Sequence, residues 1–131
     1  MPDTPESTSE QALPIGTTAA KHEIIVCTPD YVFVRQGYRY VPFRADAVLF
    51  LQADGNYTDI VTSDHKYTLR LVLSRVLNQL APSDLIRIHR GYAVNRQQVD
   101  SFGDGSVRLG SHTIPVGRSY RDALLSHFRR L

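Results

Sequence analysis

The chain predicts a mainly β fold of packed antiparallel sheets, with one short internal helix and a C-terminal helix. Three observations predict it. Short apolar or alternating runs recur from Tyr31 onward, separated by tight-turn residues. Apolar spacings of three and four are confined to two stretches. No strand–helix–strand unit repeats along the chain.

The elements follow in order. Residues 1–21 contain no aromatic side chain and many Ser, Thr and Pro, so they read as a flexible tail; 1–29 form a lead-in and 30–131 the domain. Ile24-Ile25-Val26 suits a short strand. Tyr31-Val32-Phe33-Val34-Arg35 is β-branched and aromatic, Gln36-Gly37 suits a turn, and Tyr38 to Val41 returns as a hairpin partner that Pro42 ends or places at an edge. Ala47 to Gln52 is almost continuously apolar, which suits a central, buried strand. Asp54-Gly55-Asn56 turns the chain into a strand over Tyr57–Thr62, and Ser63-Asp64-His65 turns it again into Lys66–Leu71. Leu69, Val72, Leu73, Val76, Leu77 and Leu80 then recur at helical spacing, predicting a helix from about Val72 to Leu80 that Ala81-Pro82-Ser83 stops. Gly103-Asp104-Gly105 joins a hairpin of 99–102 with 106–109, Gly110-Ser111 leads to a strand over 112–116, and Ser119 to Leu131 reads as a terminal helix with Ala123, Leu124, Phe128 and Leu131 on its apolar side.

Composition narrows the function. The 131 residues suggest one domain, and the single Cys27, with no signal sequence or long apolar run, leads us to expect a soluble cytoplasmic protein without disulfides. Net charge is +2 but uneven: residues 1–27 set four carboxylates against Lys21, a net −3, while 28–131 set thirteen Arg and Lys66 against nine Asp, a net +5. Guanidinium suits forked recognition of phosphates and base edges. The five His have no metal-ligand spacing, and there is no phosphate-cradling glycine loop, paired-carboxylate motif or Gly-x-Ser-x-Gly, so neither catalysis, a metal nor a cofactor is expected.

The most informative stretch is Ile86-Arg87-Ile88-His89-Arg90-Gly91-Tyr92-Ala93-Val94-Asn95-Arg96. Alternating Ile86 and Ile88 anchor a strand that carries Arg87, His89 and Arg90 up to a backbone break at Gly91. Together with Val48-Leu49-Phe50-Leu51-Gln52-Ala53-Asp54-Gly55-Asn56-Tyr57-Thr58, Arg70-Leu71-x-Leu73 and Ile114-Pro115-Val116-Gly117-Arg118-Ser119-Tyr120, in this order, it resembles the LytTR family of bacterial DNA-binding domains over about residues 30–131. The resemblance implies a fold in which loops, not a recognition helix, enter DNA. Here these would be the Asp54–Tyr57 turn, the His89-Arg90-Gly91 break and the Gly117-Arg118-Ser119 junction. It also implies a response-regulator-like transcription regulator acting on paired promoter sites. Double-stranded DNA is the expected partner; a dimer on those sites and a regulatory partner protein stay open, and no membrane insertion is expected. Family members often have Ser where this chain has Gly91 and Gly117, and residues 1–29 are too short for a receiver domain, so a stand-alone regulator is expected.

Each candidate has a competing structural role. Arg90 at the break can fork onto guanine, or pair with Asp84 or Asp100. His89 can donate to phosphate or base and would add charge if protonated, or simply hold structure. Arg87 suits a phosphate clamp. Asn56 matches adenine but is also a favoured turn residue. Asn95 suits a cap for the turn at Arg96, Ser119 an N-cap beside Arg118, and Lys66 and Arg121 outer phosphate contacts. Arg129 and Arg130 suit the helix dipole. The alternative is a protein-interaction β domain without nucleic-acid contact, distinguished by salt dependence. RNA binding ranks third, because most Tyr and Phe fall in strand patterns that predict burial.

Overall fold

The computed structural model describes residues 24–28, 30–80, 83–103 and 105–128. The tail, Pro82, Asp104, Arg129, Arg130 and Leu131 lie outside them. The centre is a five-stranded antiparallel sheet of β4 (Val48–Asp54), β5 (Tyr57–Thr62), β6 (Lys66–Leu69), β7 (Leu85–His89) and β8 (Tyr92–Asn95), in the order β6-β5-β4-β8-β7. A three-stranded sheet, β1 (Ile24–Cys27), β2 (Tyr31–Gln36) and β3 (Arg39–Arg44), and helix α1 (Leu73–Leu80) supply one core. A second three-stranded sheet, β9 (Ser101–Gly103), β10 (Ser106–Leu109) and β11 (His112–Pro115), and helix α2 (Arg121–Phe128) supply another.

This layering explains the apolar run in β4. Adjacent side chains of a strand point to opposite faces. Leu51 enters the first core with Val34, Ile60, Leu73 and Val76, whereas Phe50 enters the second with Ile88, Val94, Leu109 and Leu124. Leu51, Ile60, Ile88 and Leu109 are fully buried, and each such side chain contributes about 1.5–3 kcal/mol. Buried polar groups are paired: Thr58 Oγ1 donates to Leu71 O at 2.7 Å, and Thr68 Oγ1 donates to Asp59 Oδ1 at 2.7 Å.

Most predicted elements form within two residues of their expected bounds. Pro42 lies within β3, an edge strand, where a residue without an N–H is tolerated. The internal helix forms as expected, Leu73–Leu80, with Val72 O accepting the Val76 N–H of its first turn. Two expectations are corrected. The last helix begins as a 3-10 turn, Arg118–Tyr120, before α2; Leu124 is buried and Phe128 half-buried, but Ala123 is exposed. Burial of the aromatics fails on the small N-terminal sheet. Tyr31, Tyr38 and Tyr40 are exposed, because Val32, Val34 and Phe43 fill the single face that this outer sheet turns to the core. Among the described residues no helix is long and apolar enough to cross a membrane.

Candidate nucleic-acid interface

The antiparallel order brings the three expected loops to one edge of the central sheet. β4 runs to Asp54, the chain reverses at Gly55-Asn56, and β5 leaves from Tyr57; Gly55 has φ 64°, a left-handed value natural to glycine. Two strands over, β7 and β8 reverse at Arg90-Gly91. Backbone hydrogen bonds tie the loops together: Ala53 N–H donates to Gly91 O at 2.8 Å, and Gly117 N–H donates to Ile88 O at 2.7 Å.

The loop between β7 and β8 is shaped by a bulge. Arg87 faces Ala93 and His89 faces Tyr92, so Ile88 is an extra residue on β7. His89 Nδ1 accepts the Gly91 N–H at 3.0 Å, and its ring meets Tyr92 edge-on at 5.4 Å. With Nδ1 accepting, Nε2–H is the ring donor of His89. Arg87 turns along the loop: its Nε donates to His89 O at 3.3 Å, and its terminal nitrogen to Arg90 O. Two of its five N–H donors are thus committed to backbone.

Arg90 is exposed, and its expected structural partners are engaged elsewhere. Asp84 pairs with Arg96 at 2.8 Å, and Asp100 accepts the Gly110 N–H at 2.7 Å. Arg118 is likewise exposed. The ion pairs among the described residues involve Arg44, Lys66 and Arg96, so Arg90, Arg118 and Arg121 have no carboxylate partner there. Asn56 is exposed at its turn and Tyr57 half-buried. Asp54 is the carboxylate in these turns.

Two candidates move. Lys66 pairs with Val61 while Leu69 pairs with Thr58, which puts Lys66 three residues, roughly 10 Å, toward the opposite end of the sheet. There it lies 4.0 Å from Asp59. Ser119 is not the N-cap: Gly117 holds that position with φ −72° and ψ 145°, and Ser119 lies inside the 3-10 turn, exposed. Arg121 opens α2 beside a shallow groove lined by Phe102, Gly103 and Leu125, on the flank of the edge. Sequence reasoning missed Arg70. It follows Leu69, the partner of Thr58, and so stands exposed at the same edge as Asn56. The register of β6 is the signal that would have found it. Asn95 caps as expected: Oδ1 accepts the Gln97 N–H at 2.9 Å, and Nδ2 donates to Val48 O at 2.8 Å.

Away from this edge, Arg44 forks onto Asp46 with both contacts at 3.0 Å. That hydrogen bond holds the Asp46 carboxyl below its ordinary value. Among the described residues no group of His, Cys, Asp and Glu could hold a metal ion.

A profile of the LytTr DNA-binding domain matches residues 38–129. The sensory transduction protein LytT of Bacillus subtilis (strain 168) is 26% identical over 83 residues, which cover 59% of this chain and 34% of that protein. The heme-containing CO-sensing transcriptional regulator RcoM 1 of Paraburkholderia xenovorans (strain LB400) is 30% identical over 120 residues, covering 86% of this chain and 43% of that protein. The chain thus spans less than half the length of either relative. A solved LytTr DNA-binding domain from Bacillus cereus superposes with a TM-score of 0.65 at 17% identity, over 79% of this chain and all of that one, and so shares the fold.

Proposed function

Because the chain belongs to the LytTR family of DNA-binding domains, we propose that it is a sequence-specific transcription regulator that sets loop side chains into the grooves of promoter DNA. In this reading Arg90, Arg118 and Asn56 read base edges, and His89, Ser119, Arg121 and Arg70 contact phosphates. The observation that carries it is the convergence of three loops on one edge, with arginines that no carboxylate among the described residues neutralises. A guanidinium so placed is free to fork onto guanine O6 and N7, and its hydration is the main thing it gives up. His89, whose Nδ1 is taken by the Gly91 N–H, offers Nε2–H as a donor.

The test is a mobility shift on genomic promoter fragments across a salt series. Binding is expected to weaken steeply as salt rises. Arg90→Ala is expected to lower affinity for the specific fragment by about 1–3 kcal/mol while leaving random DNA much less affected. Equal loss on both would reduce Arg90 to a phosphate contact, and no retarded species at low salt would end the DNA reading. Two copies on paired sites are the expected assembly, visible as a second retarded species.

One observation favours an additional role in protein contact. The outer face of the small sheet sets Tyr31, Tyr38 and Tyr40, 40%, 89% and 53% exposed, beside Arg35 and Arg44. Tyr and Arg are enriched at protein interfaces. A contact built there would tolerate salt that abolishes DNA binding.

A further inference from the structure

We infer that Arg87 is a positioning residue, which holds the β7–β8 loop as a rigid pedestal under Arg90 rather than touching DNA itself; this rests on the DNA-binding reading above. The four carbonyls from Ile88 to Gly91 all receive a protein donor. Ile88 O takes the Gly117 N–H, Gly91 O takes the Ala53 N–H, and both intervening carbonyls, His89 O and Arg90 O, take Arg87. The Ile88 bulge breaks the regular pairing of β7 with β8, and Arg90 lies in the turn beyond it, so Arg87 donates where the ladder ends.

Left alone, those carbonyls would point partial negative charge out of an edge that is to meet phosphates, and the loop would be free to move. One planar guanidinium holds both from two nitrogens in a fixed fork, a geometry that the rotatable donors of an ammonium on a longer, flexible stem do not reproduce. The Gly91 N–H is closed by His89 Nδ1 in the same way. Within the loop the Arg90 guanidinium and the His89 Nε2–H therefore stand as the side-chain donors left for a ligand. Fixing the loop beforehand lowers the ordering cost of binding and confines Arg90 to a narrow range of directions, so the benefit falls on specific sites more than on random DNA.

This makes a distinction that charge alone does not. A phosphate contact survives replacement by Lys, whereas a fork over two carbonyls does not. The experiment compares the wild-type chain with Arg87→Lys and Arg87→Ala by two readouts. The first is amide hydrogen exchange at residues 89–91 in the free protein, with the β4 and β8 amides as the control for folding. The second is affinity for the specific fragment and for random DNA across a salt series. Both variants are expected to speed exchange at Gly91 and to lower specific affinity about tenfold, with random-DNA affinity and the salt slope held. The inference is overturned if Arg87→Lys matches wild type in both readouts. It is also overturned if Arg87→Ala lowers both affinities together and flattens the salt slope by about one unit, the mark of a lost phosphate contact. Should the wild type bind no DNA, the DNA reading fails; the exchange readout still decides whether Arg87 holds the loop. Loss of protection in β4 and β8 by both variants would place Arg87 in the fold at large and overturn the pedestal as well.

Discussion

Replacing Asn95 by Ala isolates one side chain that joins distant parts of the central sheet. Asn95 is 4% exposed. Its Oδ1 caps the 3-10 turn of residues 96–98 through the Gln97 N–H, and its Nδ2 reaches Val48 O at the start of β4, 47 positions earlier. Alanine loses the cap, worth about 1 kcal/mol. It also strands the Val48 carbonyl where water reaches poorly, which costs about 1–3 kcal/mol. The expected destabilisation is therefore about 2–4 kcal/mol. Asn95→Asp separates the two contributions. The carboxylate keeps the cap acceptor but turns a buried anion on Val48 O in place of a donor, so Asp is expected to be no more stable than Ala. Urea unfolding followed by circular dichroism reads the change as a lower midpoint with an unchanged slope. An Ala variant within about 0.5 kcal/mol of wild type, or an Asp variant clearly above the Ala variant, would refute the reasoning.

Two further outcomes are expected. A Cβ added at Gly91 would meet His89 Nδ1 at 3.6 Å, ordinary contact, so Gly91→Ser should leave stability unchanged; by supplying a hydroxyl to the DNA backbone it should raise affinity about two- to tenfold in a fluorescence-anisotropy titration. Tyr67 stacks on Phe43 at 4.7 Å, and burial, with Asp64 adding to it, raises its phenol above the ordinary 10.0. A raised folded value gives stability that is whole below the unfolded value and is lost as pH rises through the folded one. Thermal melts above about pH 10 should therefore show a loss of stability in wild type that is smaller in Tyr67→Phe.

Much of the fold was legible because its signals are local. Gly55-Asn56, Gly37 and Gly105 mark hairpins through their own backbone preferences, and the unbroken Val48–Leu51 run announces two covered faces. Asn95 was legible for the same reason, since a cap depends on the next two residues. What was not legible depended on relations between strands. Lys66 and Arg70 sit at opposite ends of β6, and which end meets the loops follows from strand order and register, not from either residue's type. Arg87 alternates correctly as the wet face of β7, but a bulge at Ile88 folds it onto the chain. Ser119 has the chemistry of an N-cap, yet Gly117, held to Ile88 O, fixes the helix start two residues earlier. Tyr31, Tyr38 and Tyr40 have the pattern of buried strands, but their sheet has only one covered face.

The terminal helix gives the edge an uneven rigidity. α2 has eight residues with Leu124 as its buried anchor, helped by Phe128 against Phe102 at 4.8 Å. A helix that short has little stability of its own. The Gly55-Asn56 and Arg90-Gly91 turns, by contrast, end strands of the central sheet and open only when it does. Local unfolding takes the weakest unit first. When α2 frays, the Gly117–Ile88 link can release and carry Arg118 with it, while Arg90 and Asn56 stay in register. If Arg90, Asn56 and Arg118 read DNA as proposed, two of them follow the global unfolding equilibrium and the third a faster, shallower one, so that Arg118 would engage a site last and leave it first.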